Sequence, residues 1–194
     1  MGPATPAGLP ARPGLAATLL ADASAAAAFR GERHGFRSRR DAAVQMLRLA
    51  AVSDAFLGQA FYRLGSALRR RRVPVLPALC RRLAIASAAI YIDDRAVLHP
   101  GIYVVHGQVV VEGAVIIHPG VAISPSVTIA AEGPDDRIVI GRGASLGTGA
   151  RVLGAVTVGA RARIGAGAVV LGDVPEGATA AGIPAVVKGA SEPG

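Results

Sequence analysis

The C-terminal half of this 194-residue chain repeats every six residues, a period that neither a lone helix nor a lone strand produces. From residue 140 the blocks read IGRGAS, LGTGAR, VLGAVT, VGARAR, IGAGAV and VLGDVP, with aliphatic first residues at Ile140, Leu146, Val152, Val158, Ile164 and Val170. The fifth residue of each block is small or branched: Ala144, Ala150, Val156, Ala162, Ala168 and Val174. The same spacing holds upstream at Ile92, Leu98 and Val104, then at Val111, Ile117, Ile123 and Ile129. One extra residue separates Val104 from Val111, and five separate Ile129 from Ile140. A six-residue unit cannot bury its aliphatic residue by itself. Stacked coils can, with three blocks per coil forming a triangular prism whose backbone bonds run from coil to coil. Thirteen such blocks predict a little over four coils. So narrow an interior has no room for large rings, which fits an aromatic content of 4% beside 52% hydrophobic residues.

Ahead of the repeat the pattern is helical. Residues 1–13 hold four prolines and read as a flexible tail, followed by an α-helical N-terminal domain over 14–90. Within it an Ala-rich helix occupies residues 14–30, and a longer stretch over 41–72 is amphipathic and broken near Ser53. Val73-Pro74 ends that stretch, and a short helix from Leu76 to Ala89 leads into the β-helix over 91–175, with a C-terminal segment and tail over 176–194. The net charge of +8 belongs to the helical half: residues 1–90 carry 14 Arg against 4 acids, whereas residues 91–194 carry 7 basic against 9 acidic groups. The cluster Arg69–Arg72 with Arg81 and Arg82 has no interleaved aromatic residues for base stacking, so it reads as a solvated helix face and not as a nucleic-acid surface. An anionic partner is the other reading of that cluster. No run of 18 apolar residues predicts a transmembrane segment, and Asp22 interrupts the one stretch that looks like a secretory core. The single Cys80 can form no internal disulfide, and the expected location is cytoplasmic.

Four segments carry a resemblance: RLGSALRRRRVPVLPALCRRL from Arg63, HGQVVVEGAVI from His106, PSVTI from Pro125, and AAGIPAVVKG from Ala180. Over about Tyr62 to Gly189 the chain resembles the hexapeptide-repeat acyltransferase superfamily, most closely its serine acetyltransferase branch. The resemblance implies a left-handed parallel β-helix behind an α-helical domain, and a homotrimer, with a pairing of trimers through the N-terminal helices as the larger alternative. It implies acetyl-CoA as co-substrate, no metal, and an O-acetyltransferase like the serine enzymes of cysteine biosynthesis. An acceptor hydroxyl attacking a thioester must lose its proton, and the position of the family's general base falls on His106. Thr148, Gly149, Ala166 and Gly167 fall on the coenzyme path, with Ala180, Ala181, Pro184 and Lys188 in the segment that closes it. Arg142, Arg161, Arg163 and Lys188 are candidates for its phosphates.

The sequence departs from the family at Tyr91 and Val105, which stand where acids flank the catalytic histidine, and at Arg137, which stands where a second histidine lies. Asp93, Asp94 and Arg137 are therefore the candidates for the acceptor side, and Asp135 and Asp136 are further acids that could orient His106. His99 and His118 sit in HPG turns and read as outward turn residues. Separations of seven and twelve among His99, His106 and His118 do not match a zinc site that needs two histidines about five residues apart on one coil. His34 has no evident partner. Three functions follow: a serine-like O-acetyltransferase, an O- or N-acetyltransferase for a sugar or polysaccharide precursor, and a non-catalytic β-helix scaffold.

Overall fold

The computed structural model describes residues 13–31 and 38–189. The expected N-terminal tail, except Pro13, therefore lies outside the described residues, as do His34 and residues 190–194. Four helices come first: α1 (Leu15–Phe29), α2 (Arg39–Val52), α3 (Asp54–Arg70) and α4 (Leu76–Ala88). The expected break falls on Ser53. Its extended backbone ends α2, and its hydroxyl accepts a hydrogen bond from the Phe56 N–H at 3.3 Å to start α3. Helix α4 ends at Ala89, whose φ of +51° turns the chain into the first strand.

Among the described residues fourteen short strands then wind into a three-faced parallel prism, and a fifteenth adds to its end. Face A stacks β1 (Ile90–Ile92), β4 (Val109–Glu112), β7 (Thr128–Ala130), β10 (Arg151–Leu153) and β13 (Val169–Val170). Face B stacks β2 (Val97–Leu98), β5 (Val115–Ile117), β8 (Ile138–Ile140) and β11 (Thr157–Val158). Face C stacks β3 (Tyr103–Val104), β6 (Ala122–Ile123), β9 (Ser145–Leu146), β12 (Arg163–Ile164) and β14 (Thr179–Ala181), and β15 (Val186–Lys188) adds antiparallel to β14.

The register accounts for both sequence interruptions. Ile92 pairs Val111, Val111 pairs Ile129, Ile129 pairs Val152 and Val152 pairs Val170, so successive steps are 19, 18, 23 and 18 residues. The single extra residue lies at the turn after β3, and the five extra residues form the loop before β8. All the first- and fifth-position residues of the six blocks are buried, from Ile140 and Ala144 at 0% exposed to Ile164 at 3%.

The coil count exceeds the sequence expectation: there are five. Val174 bridges Val158 on face B, and Ala180 pairs Ile164 on face C, so both are rungs of a fifth coil. That coil is shortened, because these steps are 16 residues instead of 18, and its last rung is an alanine.

One buried ion pair joins the helices to the first coil. Arg63 of α3 donates through Nε (2.9 Å) and Nη2 (3.2 Å) to the two carboxylate oxygens of Asp22 in α1. The same guanidinium donates to the carbonyls of Leu98 (2.6 Å) and His99 (2.8 Å). Asp22 in turn accepts from the amides of Gly101 (2.8 Å) and Ile102 (3.2 Å). Burial raises the Asp22 carboxyl above its ordinary pKa, while Arg63 and the two amides oppose that shift. Nearby, Phe29 of α1 stacks on Tyr103 of β3 with ring centroids 5.0 Å apart.

Candidate active site

A prism has three edges, and the turns of successive coils stack along each. On the edge between faces C and A, the Val105 N–H donates to Ile123 O, Ser124 N–H to Leu146 O, Gly147 N–H to Ile164 O and Gly165 N–H to Ala180 O, at 2.8–3.0 Å. This register puts His106, Pro125, Thr148 and Ala166 in one column along the CA edge. Coils about 4.7–4.9 Å apart place Ala166 roughly 14 Å along the edge from His106.

His106 is exposed and has no hydrogen-bond or ion-pair partner among the described residues. Its turn is seated on the end of α4: Gln108 N–H donates to Ala88 O at 2.8 Å, and a Cβ on Gly107 would lie only 1.8 Å from that oxygen. Only glycine lets the two backbones meet there. Above His106 the edge is low, since Thr148 and Ala166 are exposed but small and Gly149 and Gly167 carry no side chain. Two further polar groups on this edge were not singled out from the sequence. Ser126 Oγ donates to Gln108 Oε1 at 2.9 Å, and both residues have positive φ, +61° and +64°. Glutamine and serine in a turn give no sequence signal of such a pairing.

The acceptor-side candidates lie elsewhere. Asp93 and Asp94 follow β1 and Arg137 precedes β8, so all three sit on the AB edge, across face A from His106. Five residue steps across β4, from Gln108 to Gly113, set that separation at about 16 Å. Asp93 and Asp94 are therefore no orienters of the imidazole within one chain, and both are engaged. Asp93 Oδ1 accepts from the Arg95 amide at 2.7 Å, and Asp94 pairs with Arg69 at 2.5 Å. Asp136 closes its own loop by accepting from the Gly133 amide at 2.8 Å, and Arg137 is exposed. Tyr91 points out of face A, half-buried.

The coenzyme candidates divide. Thr148, Gly149, Ala166 and Gly167 are on the CA edge, and Ala181 and exposed Pro184 continue it past the last coil. Ala180 does not belong with them: it is a core rung, 0% exposed, with its methyl inside the prism. Arg163 and Lys188 both stand opposite Thr179, on the outer surface of face C beside this edge. Arg142 and Arg161 instead lie on the BC edge, where Arg161 pairs with Glu176. His99 and His118 are also on the BC edge, away from His106, and no three His, Cys, Asp or Glu side chains converge to hold a metal among the described residues.

The bacterial transferase hexapeptide (six repeats) model matches residues 137–172. No curated protein sequence matches the chain. Among solved structures, soybean serine acetyltransferase complexed with serine is similar: 30% identical, TM-score 0.72, with the match covering 90% of this chain and 69% of the soybean chain. The chain belongs to the hexapeptide-repeat acyltransferase superfamily, on its serine acetyltransferase branch. A serine acetyltransferase from Vibrio cholerae is similar at 26% identity and TM-score 0.75, covering 92% of this acyltransferase and 67% of that chain. So is a serine acetyltransferase in complex with CoA, at 26% identity and TM-score 0.69, covering 89% and 69% respectively. No described helix of the acyltransferase is long and apolar enough to cross a membrane.

Proposed function

We propose that this acyltransferase transfers the acetyl group of acetyl-CoA directly to an acceptor hydroxyl, with His106 as general base. The observation that carries the reading is the shared edge: the one outward imidazole of the CA edge stands in column with Thr148 and Ala166, whose small neighbours let a ligand lie against backbone. The CoA complex of a similar structure supports the donor. The imidazole takes the acceptor's proton as the hydroxyl oxygen bonds to the thioester carbonyl carbon. A backbone N–H of the adjoining coil stabilises the resulting oxyanion. Collapse breaks the carbon–sulfur bond, and the proton on His106 passes to the departing thiolate. Arg163 and Lys188 take the coenzyme phosphates.

The acceptor is serine or a serine-like metabolite, in keeping with the serine complex of the soybean structure. The second reading, a sugar or polysaccharide-precursor hydroxyl or amine, draws on the absence of any acid beside His106 among the described residues. A homotrimer completes the site. In a closed ring with the CA edge of one copy against the AB edge of the next, His106 meets Arg137, Asp93 and Asp94 of its neighbour. The enzyme works in the cytoplasm.

Thiol release from acetyl-CoA across a panel of L-serine, other hydroxy amino acids and sugars tests the proposal. Activity with a hydroxyl acceptor that falls about 10²- to 10⁴-fold in His106→Ala supports it. Full activity in that variant removes His106 as the base, and failure of the wild-type chain to bind acetyl-CoA leaves only a scaffold.

A further inference from the structure

We propose that the cleft between the helices and the BC edge is a second ligand site, separate from the CA edge, for a small phosphorylated molecule. The cleft encloses about 750 Å³, a volume typical of small-molecule sites. Helix α3 forms one wall, with Tyr62, Ser66, Arg69 and Arg70. The opposite wall is the outer surface of β2 and the turns of three successive coils, which contribute His99, His118 and Arg142 in order.

Charge selects the ligand class. Asp94 is the only acid on the lining, and Arg69 already holds it. Arg63, also on the lining, is committed to Asp22. Arg70 and Arg142 are exposed and have no ion-pair partner among the described residues, so the cleft carries two uncompensated guanidinium groups facing it from opposite walls. Between them the rings of His99 and His118 stack with centroids 5.1 Å apart and planes within 7°. The two forked guanidinium groups, with the His118 imidazole, form a donor set that suits the several oxygens of a phosphate better than the two of a carboxylate. Leu15, Pro100 and Pro119 give the cleft a rigid apolar lining for the remainder of the molecule. The CA edge has a different composition: beyond its one histidine, His106, the column holds proline, threonine and alanine, where the BC edge presents two histidines and Arg142.

Calorimetry with inorganic pyrophosphate as the probe, on the full chain with and without saturating CoA, tests this site apart from the coenzyme edge. The expected result is binding that persists in CoA-saturated protein. It should weaken by at least about tenfold in the Arg70→Ala/Arg142→Ala double variant and remain unchanged in Arg163→Ala/Lys188→Ala. Arg70 and Arg142 are exposed, so their loss leaves the fold intact, which circular dichroism checks. No binding up to about 10 mM, binding that survives the double variant, or binding displaced by CoA each overturns the proposal.

Discussion

Removing the carboxylate of Asp22 should undock the helices from the prism. Asp22 is 1% and Arg63 6% exposed, and the carboxylate accepts four hydrogen bonds, two from the guanidinium and two from backbone amides. Asp22→Ala leaves a buried cation without its counter-charge and two amides without an acceptor. Such a break costs about 3–5 kcal/mol. The carbonyls of Leu98 and His99 still hold Arg63, which places the expected loss near the lower end. At about 2–4 °C per kcal/mol for a chain of this size, the melting temperature should fall by roughly 6–12 °C. Because burial already disfavours the charged carboxyl, Asp22→Asn should be milder than Asp22→Ala. The double variant Asp22→Ala/Arg63→Met should be more stable than Asp22→Ala alone, since it removes the stranded charge. Urea unfolding measures these differences, and hydrogen exchange localises them to the Gly101 and Ile102 amides. A loss under about 1 kcal/mol in Asp22→Ala, with those amides still protected, refutes the reasoning.

Three further outcomes follow from the prism and its CA edge. Ile129→Ala, at a rung 0% exposed in the third coil, should cost about 2–5 kcal/mol in urea unfolding because the stacked coils cannot close the cavity. Ala166→Phe fills the proposed coenzyme path while leaving the core untouched, so KM for acetyl-CoA should rise at least about tenfold with the unfolding midpoint unchanged. Arg163→Ala/Lys188→Ala should raise KM for acetyl-CoA but not for acetyl-pantetheine, which lacks the nucleotide phosphates.

Much of the prism was legible because its physics is written once per six residues. An aliphatic rung and a small fifth residue recur so regularly that even the one- and five-residue interruptions could be located, and the observed register returns them as steps of 19 and 23. Of the fifth coil only Val170 and Val174 were legible, and its last rung was not. The coil is two residues shorter and ends on Ala180, which carries no strong aliphatic signal, so a core rung resembled a ligand contact. The edge on which each turn falls could have been counted: Asp93 follows the first rung of its coil, whereas His106 follows the third. Counting in eighteens, not sixes, separates them. Asp22 gave no comparable signal, since an isolated acid in an Ala-rich helix finds its partner 41 residues away at Arg63. The His99–His118 stack has the same origin: the 19-residue step places two separate HPG turns one above the other.

The most direct measurement is an experimental structure of the protein soaked with CoA. The account predicts the pantetheine arm lying along the CA edge past Ala166 and Thr148, with its thiol beside the His106 imidazole and its phosphates toward Arg163 and Lys188. CoA bound on another edge, or a thiol remote from His106 in every subunit, contradicts it.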